Sequence, residues 1–282
     1  MNMSLHVSYI IPHRDREGLF QYNLNSLKAQ TNKDFEIIII DSSQDSSKIK
    51  EIVTQYKKFL NIRLFFVDPK KCIYAHDGSI YGNNFCPALQ QNIGVKKCDG
   101  DIIVLTSPEI VNASTNVSKI INKFKNRDSQ FLLGWMDEMK KENIAPWINS
   151  GYNLNQLKSL CENNAKIGAW CKEHDWRPAN YFLGVLLKKD FIHIGGIEES
   201  FMGGIAWEDD EFSRRCIDND IKCSFEGGIG GVHLSHPRTY QCVGETAWEI
   251  DSINGKIFHQ TYNLVANQNH EWGSFETIIG EY

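Results

Sequence analysis

Residues 203 to 220 read GGIAWEDDEFSRRCIDND, and within them Trp207 is followed by four carboxylates, Glu208, Asp209, Asp210 and Glu211. Crowded carboxylates cannot all ionise at ordinary cost, and one of them can be lifted toward a pKa useful for moving a proton. Gly203 and Gly204 supply a turn that lets the backbone approach closely. The same residues also suit a plain helix start, since acidic side chains favour the positive end of the helix macrodipole. Phe212, Cys216 and Ile217 fit a helix over about Asp209 to Asn219. On this stretch alone the helix start is the stronger reading.

The elements that would position such a motif begin at the N-terminus. HVSYIIP (6–12), FEIIIIDSS (35–43) and IRLFFVD (62–68) predict strands, with helices in LFQYNLNSLKAQ (19–30) and SSKIKEIVTQYKKFL (46–60). Strands that are near-continuous in apolar residues and alternate with helices imply a parallel sheet covered on both faces. Ligands of such sheets bind beyond the carboxyl ends of the strands, where this chain places PHRDRE and DSSQD. No glycine-rich dinucleotide fingerprint follows the first strand, which removes most of the support for a nicotinamide-dependent oxidoreductase. Further along, 87–98 predicts a helix, 100–111 a strand, 112–127 a helix and 129–136 a strand. From 137 to 180 the periodicity weakens around Trp147, Trp170 and Trp176, as in a long excursion or lid. Regular structure returns at 180–196, and 240–282 predicts a helical tail.

Length and composition narrow the classes. The 282 residues, 41% hydrophobic and 23% charged, suit a globular chain with a substantial core. A net charge of −5 gives no electrostatic footprint for nucleic acid. Eight cysteines without a CxxC pair read as reduced thiols rather than a zinc site, and no secretory leader opens the sequence, so a cytoplasmic location is expected. No apolar run is long enough to span a bilayer, so membrane contact is expected to be peripheral at most.

The order of VSYIIPHRDRE, IIIIDSSQD, NIGVKKCDGDIIVLTSPE, FLGVLLKKDFIHIGGIEESFMGGIAWEDDEFSRRC and GVHLSHPR resembles the GT-A glycosyltransferases, in particular the inverting galactosyltransferase-like and chondroitin-polymerase-like enzymes. The resemblance covers about 6–240 and is strongest at 180–215. It implies an α/β, Rossmann-like GT-A fold: a mostly parallel sheet flanked by helices in one domain. That domain would span 1–240, with a nucleotide-sugar half (1–110) and an acceptor half (111–240) carrying the lid-like insertion 137–180. A C-terminal helical extension would occupy 241–282.

The resemblance also assigns residues. Pro12, His13, Arg14 and Arg16 would hold the nucleotide, with Asp41 on base or ribose; a guanidinium can fork onto phosphate oxygens and a carboxylate can accept from N–H or hydroxyl groups. Where the family usually carries Asp-x-Asp for a divalent cation, this chain has Ser107, Pro108 and Glu109, so one carboxylate remains. Glu109 with a histidine, His233 or His236, would then bind Mn²⁺ or Mg²⁺, since phosphate and water can complete the shell. Without the resemblance, TSPE reads as a capped turn with Pro108 at a first helical position. In the acidic motif Glu208 would bind the acceptor, Asp209 would remove its proton, Trp207 would stack on a sugar ring, and Gly204 would let the acceptor approach. Asp210 and Glu211 would begin the helix, and Trp147, Trp170, Trp176 and Arg177 could wall the acceptor side.

The implied reaction moves a sugar, with inversion, from a nucleoside-diphosphate donor, by default a UDP-sugar, to a glycan or glycolipid hydroxyl. The richness in Lys, Asn and Ile suggests a bacterial source, where such enzymes build capsule or lipooligosaccharide. Two other readings compete. A sugar nucleotidyltransferase would want a glycine-rich, lysine-bearing loop after the first strand, which is absent. A non-catalytic sugar-nucleotide-binding subunit would fit Ser107, but has little use for WEDDEF.

Overall fold

The computed structural model describes residues 5–68, 87–163, 169–171, 180–204, 206–236, 252–260 and 262–282. β-Branched and aromatic residues build the first strands, β1 (Val7–His13), β2 (Phe35–Asp41) and β3 (Ile62–Val67), which are buried almost throughout. β1 and β3 both run parallel to β2, with Val7 opposite Phe35 and Ile37 opposite Ile62. Helix α1 (Glu17–Lys28) buries Phe20, Leu24 and Leu27, spaced four and three residues apart on one face. α2 (Ser47–Lys57) buries Ile49, Ile52 and Val53 in the same manner. α3 (Ala88–Lys97) lies so close to the sheet that a Cβ on Gly94 would sit 2.5 Å from Ile10 Cγ2.

The remaining elements are β4 (Ile102–Leu105), β5 (Ile110–Asn112), α4 (Asn116–Lys123), β6 (Gln130–Met139), α5 (Ala145–Asn149), α6 (Leu154–Asn163), β7 (Ala169–Cys171), α7 (Asn180–Leu183), β8 (Gly184–Leu187), α8 (Lys188–His193), α9 (Glu208–Asp218), β9 (Lys222–Leu234), α10 (Ile253–Gln260) and β10 (Ile278–Glu281). The strand order is β10-β3-β2-β1-β4-β8-β6-β9-β5, with β7 beside β6. This is an α/β fold with one central sheet flanked by helices.

Four expectations need correction. The sheet is mixed rather than mostly parallel: β1 to β4 form a parallel block and β6 pairs in parallel with β9, but β10, β8, β7 and β5 run antiparallel to their neighbours. The strand expected over 100–111 is two strands. It breaks where Pro108 lacks an N–H, and the bend is held by Asn23 Nδ2 on Ser107 O at 3.2 Å and by Thr106 Oγ1 on Phe182 O at 3.0 Å. Pro12 and His13 belong to β1, not to a loop. β1 keeps pairing with β2 as far as His13 and with β4 only to Ile10, so Pro12 stands where one side of the strand is already free. Finally, the described part of the tail holds the helix α10 and then returns to the sheet as β10 against β3.

The described part of the excursion, 137–163, also departs from a loose lid. Its helices α5 and α6 share an apolar cluster with Trp135, Val232 and Leu234. Trp147 is fully buried there, donating from Nε1 to Asn153 O at 2.9 Å, so it is core and not an acceptor wall. Trp176 and Arg177 lie outside the described residues, as does the side chain of Trp170. No helix among the described residues is long and apolar enough to cross a membrane. Cys98, Cys216 and Cys223 are free thiols.

One buried, ion-paired arginine ties α9 to the turn after α8. Arg215 Nη2 reaches Glu211 Oε2 at 2.6 Å and Arg215 Nε reaches Oε1 at 2.8 Å, while Nη1 donates to Ile194 O and Gly196 O at 2.6 Å each. Arg215→Met strands the Glu211 carboxylate in the interior and is expected to cost about 3–5 kcal/mol. Adding Glu211→Leu removes that uncompensated charge and should recover part of the loss. Urea denaturation midpoints of the two variants check both statements, and a single variant as stable as the wild type would contradict them.

Candidate active site

The break at Pro108 decides where Glu109 stands. β5 turns away from β4 and pairs antiparallel with β9, setting Ile110 opposite His233, and Leu234 N donates to Glu109 O at 3.1 Å. Glu109 thus meets both histidines: its Oε1 lies 3.5 Å from His233 Nε2 and 3.4 Å from His236 Nε2. One donor atom from each residue falls within 4.8 Å of the others. Ligands held about 2.0–2.6 Å from one ion lie within about 5 Å of each other, so the spacing fits a single divalent cation. A carboxylate with two imidazoles is a donor set that suits Mn²⁺. Burial alone would raise the Glu109 carboxyl, but hydrogen bonds and charge from His233 and His236 outweigh it and hold the group well below the ordinary carboxylate range. The sequence left the choice between the two histidines open, and the structure brings both to the carboxylate. It adds Glu138 of β6, 3.9 Å from His233 Nδ1, and Phe182, edge-on to the His233 ring at 5.1 Å.

The strand ends on the other side of β1 are arranged differently from the sequence expectation. His13 Nδ1 and Asp41 Oδ1 bond to one another at 2.8 Å with both side chains fully buried. Asp41 also accepts from Ser43 Oγ at 2.6 Å and Ser46 Oγ at 2.7 Å. Burial would raise the Asp41 carboxyl, yet His13 and the serines bring it below its ordinary value. Gln90 of α3 supports this corner by donating to Ser42 Oγ at 3.0 Å. Sequence reasoning missed Gln90, because one polar side chain among the three amides of LQQN carries no signal for which faces the sheet. Arg14 is different: its Nη1 is buried without a hydrogen-bond partner among the described residues, and its Nε lies 3.8 Å from the exposed Asp15. Arg16 is partly exposed and its carbonyl opens α1 by accepting from Leu19 and Phe20.

At the acidic motif the helix expected over Asp209 to Asn219 forms as α9, one residue earlier at each end. Glu211 lies in the first turn of α9 and pairs with Arg215 one turn further along it. Glu208 is buried, and its Oε2 has no hydrogen-bond partner among the described residues. Burial, with charge from Asp210, pushes the Glu208 carboxyl up to about 7. Asp209 is raised well above its ordinary value by burial and then by Glu208 and Asp210, and burial raises Asp210 as well. Low dielectric therefore overrides the helix dipole here. Trp207 lies against α10, its ring 4.9 Å from Phe258 and 5.3 Å from His259, so part of its apolar surface is already covered. Gly204 owes its lack of a side chain to a neighbour in the chain, for a Cβ there would meet Asn254 Oδ1 at 2.6 Å. The acidic and histidine groups share a wall, since α7 packs against β4, β6, β9 and α9.

Comparison with known proteins gives one family and several folds. The family described as Glycosyl transferase family 2 matches residues 8–177. No curated protein sequence matches the chain. Among solved structures, TarS of S. aureus superposes with a TM-score of 0.56 at 15% identity, covering 85% of this chain and 38% of that one. TarS 1-349 in complex with UDP gives 0.57 at 15% identity, covering 85% and 63%. The mannosyltransferase PcManGT from Pyrobaculum calidifontis, in complex with GDP-Man and Mn²⁺, gives 0.52 at 13% identity, covering 86% and 60%. The chain therefore spans less than two thirds of each of these, and at such identities the likeness is one of fold.

The raised Glu208 carboxyl makes stability depend on pH. A carboxyl held at about 7 in the folded protein and near 4.5 when unfolded favours folding below about pH 4.5, and that contribution is lost as pH rises through 7. Glu208→Gln removes the titration and is expected to gain on the wild type between pH 5 and pH 8 by on the order of 2–3 kcal/mol. Thermal melts of both proteins at the two pH values check it; parallel pH dependences would show that Glu208 titrates normally.

Proposed function

The chain belongs to glycosyl transferase family 2, and on that premise we propose that it transfers a sugar from a nucleoside-diphosphate donor to a hydroxyl of a glycan or glycolipid. The observation that carries this reading is the convergence of Glu109, His233 and His236 beyond the end of β4. A divalent cation held there would neutralise the donor's diphosphate and the charge that grows on it as it leaves. Glu109 is the carboxylate of the set, and the two imidazoles complete what the missing first aspartate of the motif would have supplied. Arg14, whose buried Nη1 has no hydrogen-bond partner among the described residues, is the proposed cation for a phosphate oxygen. Pro12, His13 and Asp41 shape the nucleotide side through the packed strand ends, and Arg16 flanks it.

On the acceptor side Asp209 is the proposed base and Glu208 the residue that binds the acceptor hydroxyls. A carboxylate whose pKa is raised by burial and by like charges is a stronger base once it has lost its proton. The proton of the attacking hydroxyl passes to Asp209, the hydroxyl oxygen bonds to the anomeric carbon, and the bond to the diphosphate breaks on the opposite face, which inverts the centre. Trp207 and Gly204 would border this pocket. A UDP-sugar is the favoured donor: TarS 1-349 is known in complex with UDP and with UDP-GlcNAc, although PcManGT holds GDP-Man. The proposed setting is bacterial capsule or lipooligosaccharide synthesis at the cytoplasmic face of the membrane. Ser107 favours the competing reading, a binding subunit without catalysis; the raised carboxyls of Glu208 and Asp209 weigh against it, because binding alone has no need of a base.

Calorimetric titration with UDP, GDP, CDP and ADP, with and without Mn²⁺, tests the donor side. One nucleotide should bind at least ten-fold more tightly with the cation, and Glu109→Ala should abolish that gain. Binding that ignores the cation in both proteins would remove the metal from the proposal, and no binding of any nucleotide would overturn it.

A further inference from the structure

Two consecutive residues with side chains, Ala206 and Trp207, adopt left-handed backbone angles immediately before α9, with φ of 64° and 73°. That region is disfavoured for any residue with a Cβ and persists only where surrounding contacts determine it. The helix start does not supply them, for no side chain caps α9 at Trp207. Among the described residues, α10, some fifty residues further along, supplies contacts to the turn. Asn254 is fully buried, and its Nδ2 donates to Ala206 O at 2.7 Å and to Phe201 O at 2.9 Å. Phe258, one helical turn on and so on the same face of α10, packs on the Trp207 ring. The bare Gly204 leaves the room that Asn254 fills. Trp207 O in turn accepts from Glu211 N at 3.0 Å, which makes the turn the first link of the helix that carries Glu208 and Asp209.

We propose that Asn254 is a positioning residue: by bonding Ala206 O and Phe201 O it holds the left-handed Ala206–Trp207 turn and so fixes where Glu208 and Asp209 stand. Its effect on catalysis rests on the transferase reading above, while its effect on the turn does not. Asn254 lies beyond residues 8–177, so the family match does not assign it. Removing the amide should free the turn to relax and displace the two carboxyls. A glycine at 206 adopts positive φ without penalty, so Ala206→Gly should restore the native turn even without Asn254.

The experiment compares wild type, Asn254→Ala, Ala206→Gly and the double variant by hydrogen exchange of the 208–211 amides, nucleoside-diphosphate affinity and sugar transfer. Asn254→Ala is expected to speed exchange of those amides about ten-fold and to lower kcat at least ten-fold. Nucleotide affinity should stay within two-fold of wild type. Ala206→Gly alone should resemble the wild type, and the double variant should recover most of both losses. Unchanged exchange in Asn254→Ala overturns the proposal whatever the activity. Faster exchange that Ala206→Gly does not rescue also overturns it, because the loss then lies in α10 and not in the turn. Altered exchange with unaltered kcat removes the catalytic half of the proposal. A wild type that binds nucleotide but transfers no sugar, with exchange behaving as expected, leaves the positioning intact and defeats the transferase reading instead. Should Asn254→Ala not fold, Asn254→Asp keeps the size, loses the donor and is read in the same way.

Discussion

The arrangement of this molecule turns on a single interruption in a strand. Had GDIIVLTSPEIV continued straight, residue 109 would have stayed in line with β4, between β1 and β8, with no route to β9. Pro108 cannot extend the ladder, and the freed segment finds its hydrogen bonds on the far side of the sheet, where β5 pairs with β9. Since His233 stands in the pair with Ile110, the residue just before that strand is delivered to the imidazoles by backbone register alone. A carboxylate and two imidazoles spaced to suit a cation are thus assembled from a turn and a strand end.

The two groups of titratable residues obey opposite electrostatic rules. Glu109 is as buried as Glu208, yet it is held ionised because two imidazoles face it. Glu208 is raised by burial and by the charge of Asp210, and Asp209 by burial and the charges of Glu208 and Asp210, so burial and repulsion act in the same direction. Desolvation raises the carboxyl in both places, and the neighbours decide the sign of the net shift. A carboxylate fixed as an anion suits a resident cation, whereas a carboxyl close to neutrality can take up and release a proton. The division follows from which side chains the fold sets opposite each carboxylate and not from residue type.

Much of this was legible in the sequence. The apolar runs in β1, β2 and β3 and the spacing of Phe20, Leu24 and Leu27 state the first half of the fold, because strands covered on both faces need no polar alternation. The acidic helix start and the pairing of Glu109 with a histidine were also there to be read. What local pattern could not show were contacts set by register. β1 and β2 pair with an offset of 28 residues, so His6 with Asp34, Ser8 with Glu36 and His13 with Asp41 all meet at that separation. None of those pairs is visible until the offset is known, and His13 therefore reads as an open loop residue when it is a buried strand residue. The apolar run through residues 102–111 hides its own break, since Ser107 and Pro108 interrupt it too briefly to alter the periodicity. β10 is only four residues, IIGE, and earns its place by pairing with β3.

Different physics positions the two sides of the site. His13, Asp41 and Glu109 sit in or next to strands whose ladder bonds fix their height and direction, and moving Asp41 or Glu109 would require breaking the sheet. On the acidic side the placement depends on side-chain bonds to a few backbone carbonyls, from Arg215 to Ile194 and Gly196 and from Asn254 to Phe201 and Ala206. Such a connection can open locally at a cost far below that of unfolding the sheet. The strand-end carboxylates are therefore fixed by the sheet itself, while those at the helix start are fixed by a few side-chain bonds. The left-handed turn at Ala206 and Trp207 places backbone strain directly before Glu208.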